Sequence, residues 1–372
     1  TYEYLTNQEK DVEKEIKNTD IDDGAANKLL ATFIFEDILK DAKVKLDNIG
    51  QPYEFGKKLD DTALTQKDFF VNFITQCNLN GTSEANISFF SMGRPNELIV
   101  LLPEDSRMHI ELPLIVKTEK YIQTTQSPSL EVAKIQILRE KQQLNNERRR
   151  TLLNQLKEMI GDAKVYLNGS ELSNIGTREP KAKVYTGVQQ LIKMIYPKLD
   201  MLPAAFTENH IVNIIASQDS LLFTDELHEI EVEVLNRIQR NKANHERTTI
   251  KNLLDFFNSR PYGWYQAAVL CIIAKLYKRN KINLKQDSNL LDDKATLDAL
   301  QKSNQYGNTI IELEEEIQNS QLLKLKTFYQ EYFNEPNLGN EPKEVSRFFK
   351  LRINQELNDL MLIYNMRSRF QF

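Results

Sequence analysis

Apolar residues recur along this chain at helical spacing more often than in strand alternation. Asn7 to Ile16 reads as a short charged helix. Asn27 to Leu39 follows, with Leu29, Leu30, Phe33, Ile34, Ile38 and Leu39 on one face. The texture then changes. Pro52 to Leu59 looks extended, and Asp68 to Thr75 is rich in Phe, Val and Ile. Ile87 to Ser91 and Glu97 to Leu102 read as further strands, set apart by turns near Gly81 and Gly93. Together these predict a small mixed α/β module over residues 1–126.

Ser127-Pro128 punctuates the chain, and Ser129 to Met159 is its longest helical pattern. Leu130, Ile137 and Leu144 sit seven apart. Leu152, Leu156 and Met159 resume after a polar stretch that holds Arg148, Arg149 and Arg150. This predicts a long helical arm over 127–161, for which a coiled-coil-like segment, a helical hairpin arm and a packed connector helix all remain open. Residues 162–222 read as a connector. In it, Asn168-Gly169 lies between the short extended runs Lys164–Leu167 and Ser170–Leu172, which is the preferred two-residue hairpin turn. A helix from Val188 to Ile195 ends near Pro197.

Residues 223–315 are the most readable part. Glu226 to Arg240 is amphipathic through Leu227, Ile230, Val234, Leu235 and Ile238. A short strand and cap at Thr248–Ile250, a short helix at Lys251–Phe257 and a turn at Arg260–Trp264 follow. Next come an apolar helix at Tyr265–Arg279 and a strand at Lys281–Leu284, with Thr309–Glu312 as its candidate partner. That order is the order of a winged helix-turn-helix, with an extra helix, Asp293–Gln301, between the wing strands. Residues 316–372 read as a helical tail with a linker at Asn334–Pro342. The fold expected is therefore α+β, mainly α and multi-domain, as the length of 372 residues also suggests.

Composition narrows the function classes. Net charge is −5, so any contact with nucleic acid has to come from a local patch. No apolar run approaches the roughly 20 residues a bilayer span needs. Cys77 and Cys271 are far apart and read as free buried thiols, and the absence of a signal peptide pattern points to the cytoplasm and away from a membrane. The chain begins at Thr1, so an excised segment of a longer protein is expected.

Candidate chemistry is sparse. A phosphate cradle needs a glycine-rich loop closed by Lys-Ser or Lys-Thr, and Gly56-Lys57-Lys58 lacks both the upstream glycine and the hydroxyl. His109, His210, His228 and His245 are too scattered for a metal site. The paired acids Asp22-Asp23, Asp60-Asp61 and Asp292-Asp293 stand at element boundaries, where carboxylates cap helices or line turns. No catalytic, cofactor or metal residue is assigned. Arg148, Arg149 and Arg150 project on several sides of one helix, as a solvated arm or as a partner contact. Lys275, Lys278, Arg279 and Lys281 suit the negative end of a helix and could also touch phosphate. In Pro261-Tyr262-Gly263-Trp264, proline stops one helix, glycine permits a tight turn and the aromatic pair supplies packing, which reads as a structural corner.

Arg260-Pro-Tyr-Gly-Trp-Tyr-Gln-Ala-Ala-Val-Leu-Cys-Ile-Ile-Ala-Lys-Leu276 with Lys281-Ile-Asn-Leu284 resembles the region after the ATPase core in the large P-loop proteins of BREX phage-defence systems, the BrxC/PglY type. Tyr4–Ile16 and Lys164–Gly169 fit the same resemblance, which runs to about Phe333. It implies an ATP-driven component of a multi-protein complex that blocks phage DNA replication and supports host methylation. Its partners would be other defence-complex proteins, a second copy of itself and duplex DNA. ATP and magnesium are implied for the parent protein only. The Walker motifs that hold them have no match here, so this chain is expected to be inactive alone and to carry motion or assembly surfaces. The rival reading is a stand-alone winged-helix DNA-binding regulator.

Overall fold

The computed structural model describes residues 2–46, 49–75, 84–126, 131–217, 226–314, 319–334 and 342–366. Helix α1 (Tyr2–Asn18) leads to α2 (Ala25–Thr32), which runs on into a π-helical stretch, Phe33–Ile38. A small hairpin, β1 (Lys43–Lys45) and β2 (Pro52–Glu54), follows. Strands β3 (Gly56–Leu59), β4 (Thr62–Ala63) and β5 (Phe70–Ile74), helix α3 (Glu84–Met92) and strand β6 (Glu97–Leu101) come next. After the helical pair α4 (Ser106–Thr125) and α5 (Val132–Asp162) stand β7 (Lys164–Leu167) and β8 (Ser170–Glu171).

These strands form one six-stranded sheet in the order β4-β3-β5-β6-β7-β8. β3, β5 and β6 run parallel, and β7 returns antiparallel to β6 with Leu98 opposite Leu167 and Leu101 opposite Lys164. Every residue of β6 is buried, because helices cover both faces. Leu98 and Val100 face the main core, while Ile99 and Leu101 pack with Ile87 and Tyr166 under α3. The β7–β8 turn has Asn168 at φ 46° and Gly169 at φ 84°, the pair of left-handed residues that the Asn-Gly dipeptide anticipated.

Two expectations change, and among the readings left open for the long arm the packed one holds. Ile87–Ser91 is helix, not strand: Ile87 is buried and Phe89 is 73 % exposed, a helical periodicity that a run of β-favouring residues had concealed. The boundaries at 126/127 and 161/162 cut through one unit, because the hairpin read as part of a connector is the edge of the sheet. The long arm is packed. Asn145 donates to the Ile115 carbonyl at 3.2 Å, and Ile137 and Leu138 meet Tyr121 and Ile122, so α4 and α5 form an antiparallel pair. Lys141 ties α1 to this pair through Glu9 and Glu13, each at 2.7 Å. Leu144 is 49 % exposed, so the seven-residue spacing from Ile137 does not make a seam; Leu130, Gly81 and Ser127-Pro128 lie outside the described residues.

Helix α6 (Pro180–Ile195) packs on the sheet and leads through a 3-10 turn, Leu199–Met201, to α7 (Glu208–Ala216). Then come α8 (Glu229–Ala243), α9 (Ile250–Asn258) and α10 (Gln266–Lys278), the strands β9 (Ile282–Gln286) and β10 (Asn289–Leu290), α11 (Asp293–Gln301) and β11 (Ile310–Leu313). β9 pairs antiparallel with β11, and a bridge from Thr249 to Ile310 adds the short third strand of a winged helix-turn-helix. The expected extra helix is α11. Asp292 caps it by accepting from the Ala295 amide at 2.8 Å. The tail is a helical hairpin, α12 (Asn319–Phe333) and α13 (Pro342–Met366), closed by Leu322, Tyr329 and Val345. The molecule is mainly α with smaller sheets. Among the described residues no helix is long and apolar enough to cross a membrane.

Candidate functional site at the domain seam

The Pro-Tyr-Gly-Trp corner does more than join α9 to α10. The Arg260–Pro261 peptide is cis, and the Pro261 carbonyl accepts from the Lys198 amide at 3.0 Å. Trp264 is fully buried and stacked on Phe257, with ring centroids 4.8 Å apart, and its indole N–H donates to the Lys198 carbonyl at 3.0 Å. Gly263 adopts φ +61°, and a Cβ built on it would lie 2.4 Å from the Tyr196 ring. Its carbonyl accepts the Tyr53 hydroxyl at 2.9 Å. The corner is thus held by the residues that end α6, a helix packed on the six-stranded sheet, and by β2, whose hairpin partner β1 packs on the same helix.

A charged triad flanks this seat. The Lys198 ammonium lies 2.6 Å from Glu233 of α8 and above the Tyr262 ring, and the Tyr262 hydroxyl donates to Glu233 at 2.5 Å. The hydrogen bond from Lys198, then that from Tyr262, holds the Glu233 carboxyl below the usual range. Burial pushes the phenols of Tyr53, Tyr196 and Tyr262 up, so they donate across the whole neutral range. A cleft of about 330 Å³ opens beside the seam, lined in part by Glu54, Lys67 and Asp68. Sequence reasoning singled out the corner but missed Tyr53, Tyr196, Lys198 and Glu233. Tyr53, the Tyr196–Lys198 break and Glu233 lie in three different segments, and no local spacing links them. The Tyr196-Pro-Lys198 break after a helix was the one legible signal.

Helix α10 stands where a winged helix would present its reading face. Here α7, α8, α9 and β9 pack around it, and Val269, Leu270, Ile272, Ile273 and Leu276 are almost fully buried. Gln266 is the exposed residue of the helix, and Ala267, Lys275 and Lys278 are half-buried. A helix so enclosed has no free face for base edges.

Two family models match consecutive stretches. One describes the fourth domain, with a six-stranded beta sheet, of the BREX ATP-binding protein BrxC and covers residues 19–191. The other describes the winged helix-turn-helix domain of the same protein and covers residues 201–315. The chain belongs to the BrxC-type BREX family. No solved structure matches it. In this BrxC-type chain the interval between the two matched domains holds Tyr196 and Lys198, the residues on which the corner sits. The tail hairpin lies beyond both matches.

The candidate cations fall into two separate sets, most of them with partners inside the chain. Arg148 pairs with Glu111 at 2.7 Å, and Arg149 pairs with Glu119 at 2.9 Å while lying over the Phe33 ring. Arg150 is exposed and makes no ion pair among the described residues. Lys278 meets Asp293 at 3.1 Å, and Arg279 reaches the buried Glu231 at 3.4 Å and the Glu226 carbonyl at 3.0 Å. Lys275 lies over the Phe206 ring, and Lys281 is exposed. Of the histidines, the His210 ring accepts from the Thr207 amide and His228 caps α8, which are structural tasks. Asp60 accepts from Thr75 and Asp61 pairs with Arg94, so that acidic pair lines a turn as expected. Burial pushes the Cys271 thiol up to about 11, far from a nucleophile's range. Cys77 lies outside the described residues. Among the described residues no group of three or more His, Cys, Asp or Glu could hold a metal ion.

Proposed function

We propose that this chain is a non-catalytic transmission segment of a BREX-type P-loop ATPase that acts in the bacterial cytoplasm in defence against phage. ATP and magnesium belong, on this reading, to other parts of the parent protein. The observation that carries it is the seat of Gly263. A left-handed glycine with no room for a Cβ locks the winged-helix module onto the six-stranded module, so a displacement of one moves the other as a body. The packed α1–α4–α5 layer supports the same reading, since it stiffens the sheet domain rather than trailing from it. The partners are other proteins of the defence complex, met through exposed surfaces such as that around Arg150.

The experiment uses the full-length parent protein carrying Gly263→Ala. ATP hydrolysis is expected to persist while protection in a phage plaquing assay falls, with hydrogen exchange reporting the opened seam. Rapid ATP hydrolysis by this chain alone would contradict the reading, as would full protection despite an opened seam. The runner-up is a winged-helix regulator that binds duplex DNA. It draws on the exposed Lys281 but has to do without the enclosed α10. Salt-dependent duplex binding that disappears in Lys281→Glu would favour it.

A further inference from the structure

Among the described side chains of α1, Val12 and Ile16 are the buried ones. They join Tyr121, Ile122, Ile137 and Leu138 in a small cluster that stands apart from the main core. From residue 17 to residue 29 nothing is buried, and Gly24, at φ +83°, has nothing within 4 Å of a Cβ built on it. Helix α1 is therefore joined to α2 by an exposed connection and to the α4–α5 pair by a satellite cluster. An element with so few buried apolar contacts opens at a fraction of the free energy of global unfolding.

The rest of the attachment is charge. At about 100° per residue, Glu9 and Glu13 fall on one side of the line through Val12 and Ile16, and Glu15 falls on the other. Lys141 meets Glu9 and Glu13 at 2.7 Å each, Lys134 meets Glu15 at 3.6 Å, and the Tyr121 hydroxyl donates to Glu15. Lys117 donates to the Lys17 carbonyl at 2.8 Å, at the negative end of the helix. The three carboxylates are 47 %, 51 % and 52 % exposed, and ion pairs so open to water weaken as salt rises. The α4–α5 pair does not depend on α1. Asn145 keeps its bond to the Ile115 carbonyl, and Tyr121 and Ile122 keep Ile137 and Leu138 as neighbours. What α1 uncovers on leaving is those four apolar side chains, edged by Lys117, Lys134 and Lys141.

We infer that α1 is a salt-sensitive strap, docked in a lysine-edged apolar groove of the α4–α5 pair, that opens as a unit while the sheet domain stays folded. The groove fits an amphipathic helix with carboxylates on both flanks, and α1 is its occupant. Docked, α1 completes the layer that stiffens the sheet domain. Released, it leaves that layer as two helices, so the strap sets how firmly the sheet domain passes motion on. This consequence rests on the transmission reading above, whereas the opening rests on the packing of α1 alone.

Hydrogen exchange on the whole chain reads the opening directly. Corrected for sequence, the amides of residues 9–17 should exchange about 100-fold or more faster than those of residues 115–122. Raising NaCl from about 0.05 M to about 0.5 M should speed exchange in α1 several-fold and leave residues 115–122 unchanged. Lys141→Glu should speed it further, and adding Glu9→Lys and Glu13→Lys should bring the protection back. The groove is read with a labelled peptide of residues 2–18. It should bind a chain carrying Val12→Asp, whose own strap is displaced, about tenfold or more tighter than the unaltered chain, and lose that binding when Lys141→Glu is added. An α1 that exchanges no faster than α4, or is indifferent to salt, would overturn the inference. So would a Val12→Asp chain in which α4 loses protection together with α1, or a peptide that does not distinguish the two chains.

Discussion

Gly263→Ala isolates the seam. Two costs add at this position. An L-residue held in the left-handed region pays about 1–2 kcal/mol. A Cβ placed 2.4 Å, 2.6 Å and 2.8 Å from three atoms of the Tyr196 ring has to displace that ring, an overpacking strain. Such strain typically costs about 1–3 kcal/mol. The sum, about 2–5 kcal/mol, is a sizeable part of an ordinary folding free energy of about 5–15 kcal/mol. At about 2–4 °C per kcal/mol, a loss near 3 kcal/mol lowers Tm by about 6–12 °C. The molecule supplies its own controls. Gly24 has φ +83° with nothing within 4 Å, so Gly24→Ala carries only the backbone cost. Gly161 has ordinary φ but its Cβ would lie 2.5 Å from the Arg178 carbonyl, so Gly161→Ala carries only the clash. Thermal melts followed by circular dichroism, with hydrogen exchange at residues 196–202, give the measurement. If Gly263→Ala proves no more destabilising than Gly24→Ala, the seam is looser than its geometry and the transmission argument fails.

Three further outcomes are expected. Arg279→Ala should cost about 3–5 kcal/mol by stranding the buried Glu231 carboxylate, whereas Lys281→Ala should stay within about 0.5 kcal/mol; equal effects in urea melts would show that the two cations had been wrongly separated. Glu233 has a folded-state pKa below its unfolded value, so its contribution is present above the unfolded pKa and fades as pH falls through the carboxylate range. The acid limb of a stability–pH curve should therefore flatten in Glu233→Gln, and an unchanged limb would refute this. Cys271, fully buried and pushed up to about 11, should resist iodoacetamide at pH 8 in the native chain and react once it is unfolded, as peptide mass spectrometry can read; rapid native labelling would contradict its burial.

Much of the fold was legible because local signals agreed with tertiary ones. Asn168-Gly169 could form only a tight hairpin, and the helix–strand order from Glu226 to Glu312 marked the winged module without any long-range information. The failures share a cause. Ser106–Thr125 went unread although Asp105 caps it and Met108, Leu112, Ile115 and Ile122 make its buried face, because Pro113 inside the run mimics a break. Glu208–Ala216 was also missed, since its capping box uses His210 where Glu or Gln is usual. The cations at the end of α10 looked available because charge is visible in a sequence and its partner is not: Asp293 and Glu231 come from other helices. The corner was visible, but its purpose was not, since Tyr53 lies 210 residues from Gly263 in the chain.

The place of β6 has a consequence for how this chain is made and cut. Its outer neighbour, β7, emerges only after the whole of α4 and α5, so on the ribosome an all-apolar Leu98–Leu101 ladder waits with one open side. Any fragment ending within α5 keeps that side open for good and invites edge-to-edge stacking with its own copies. A clean excision of the sheet domain therefore has to retain Lys164–Glu171, the hairpin that shuts the ladder.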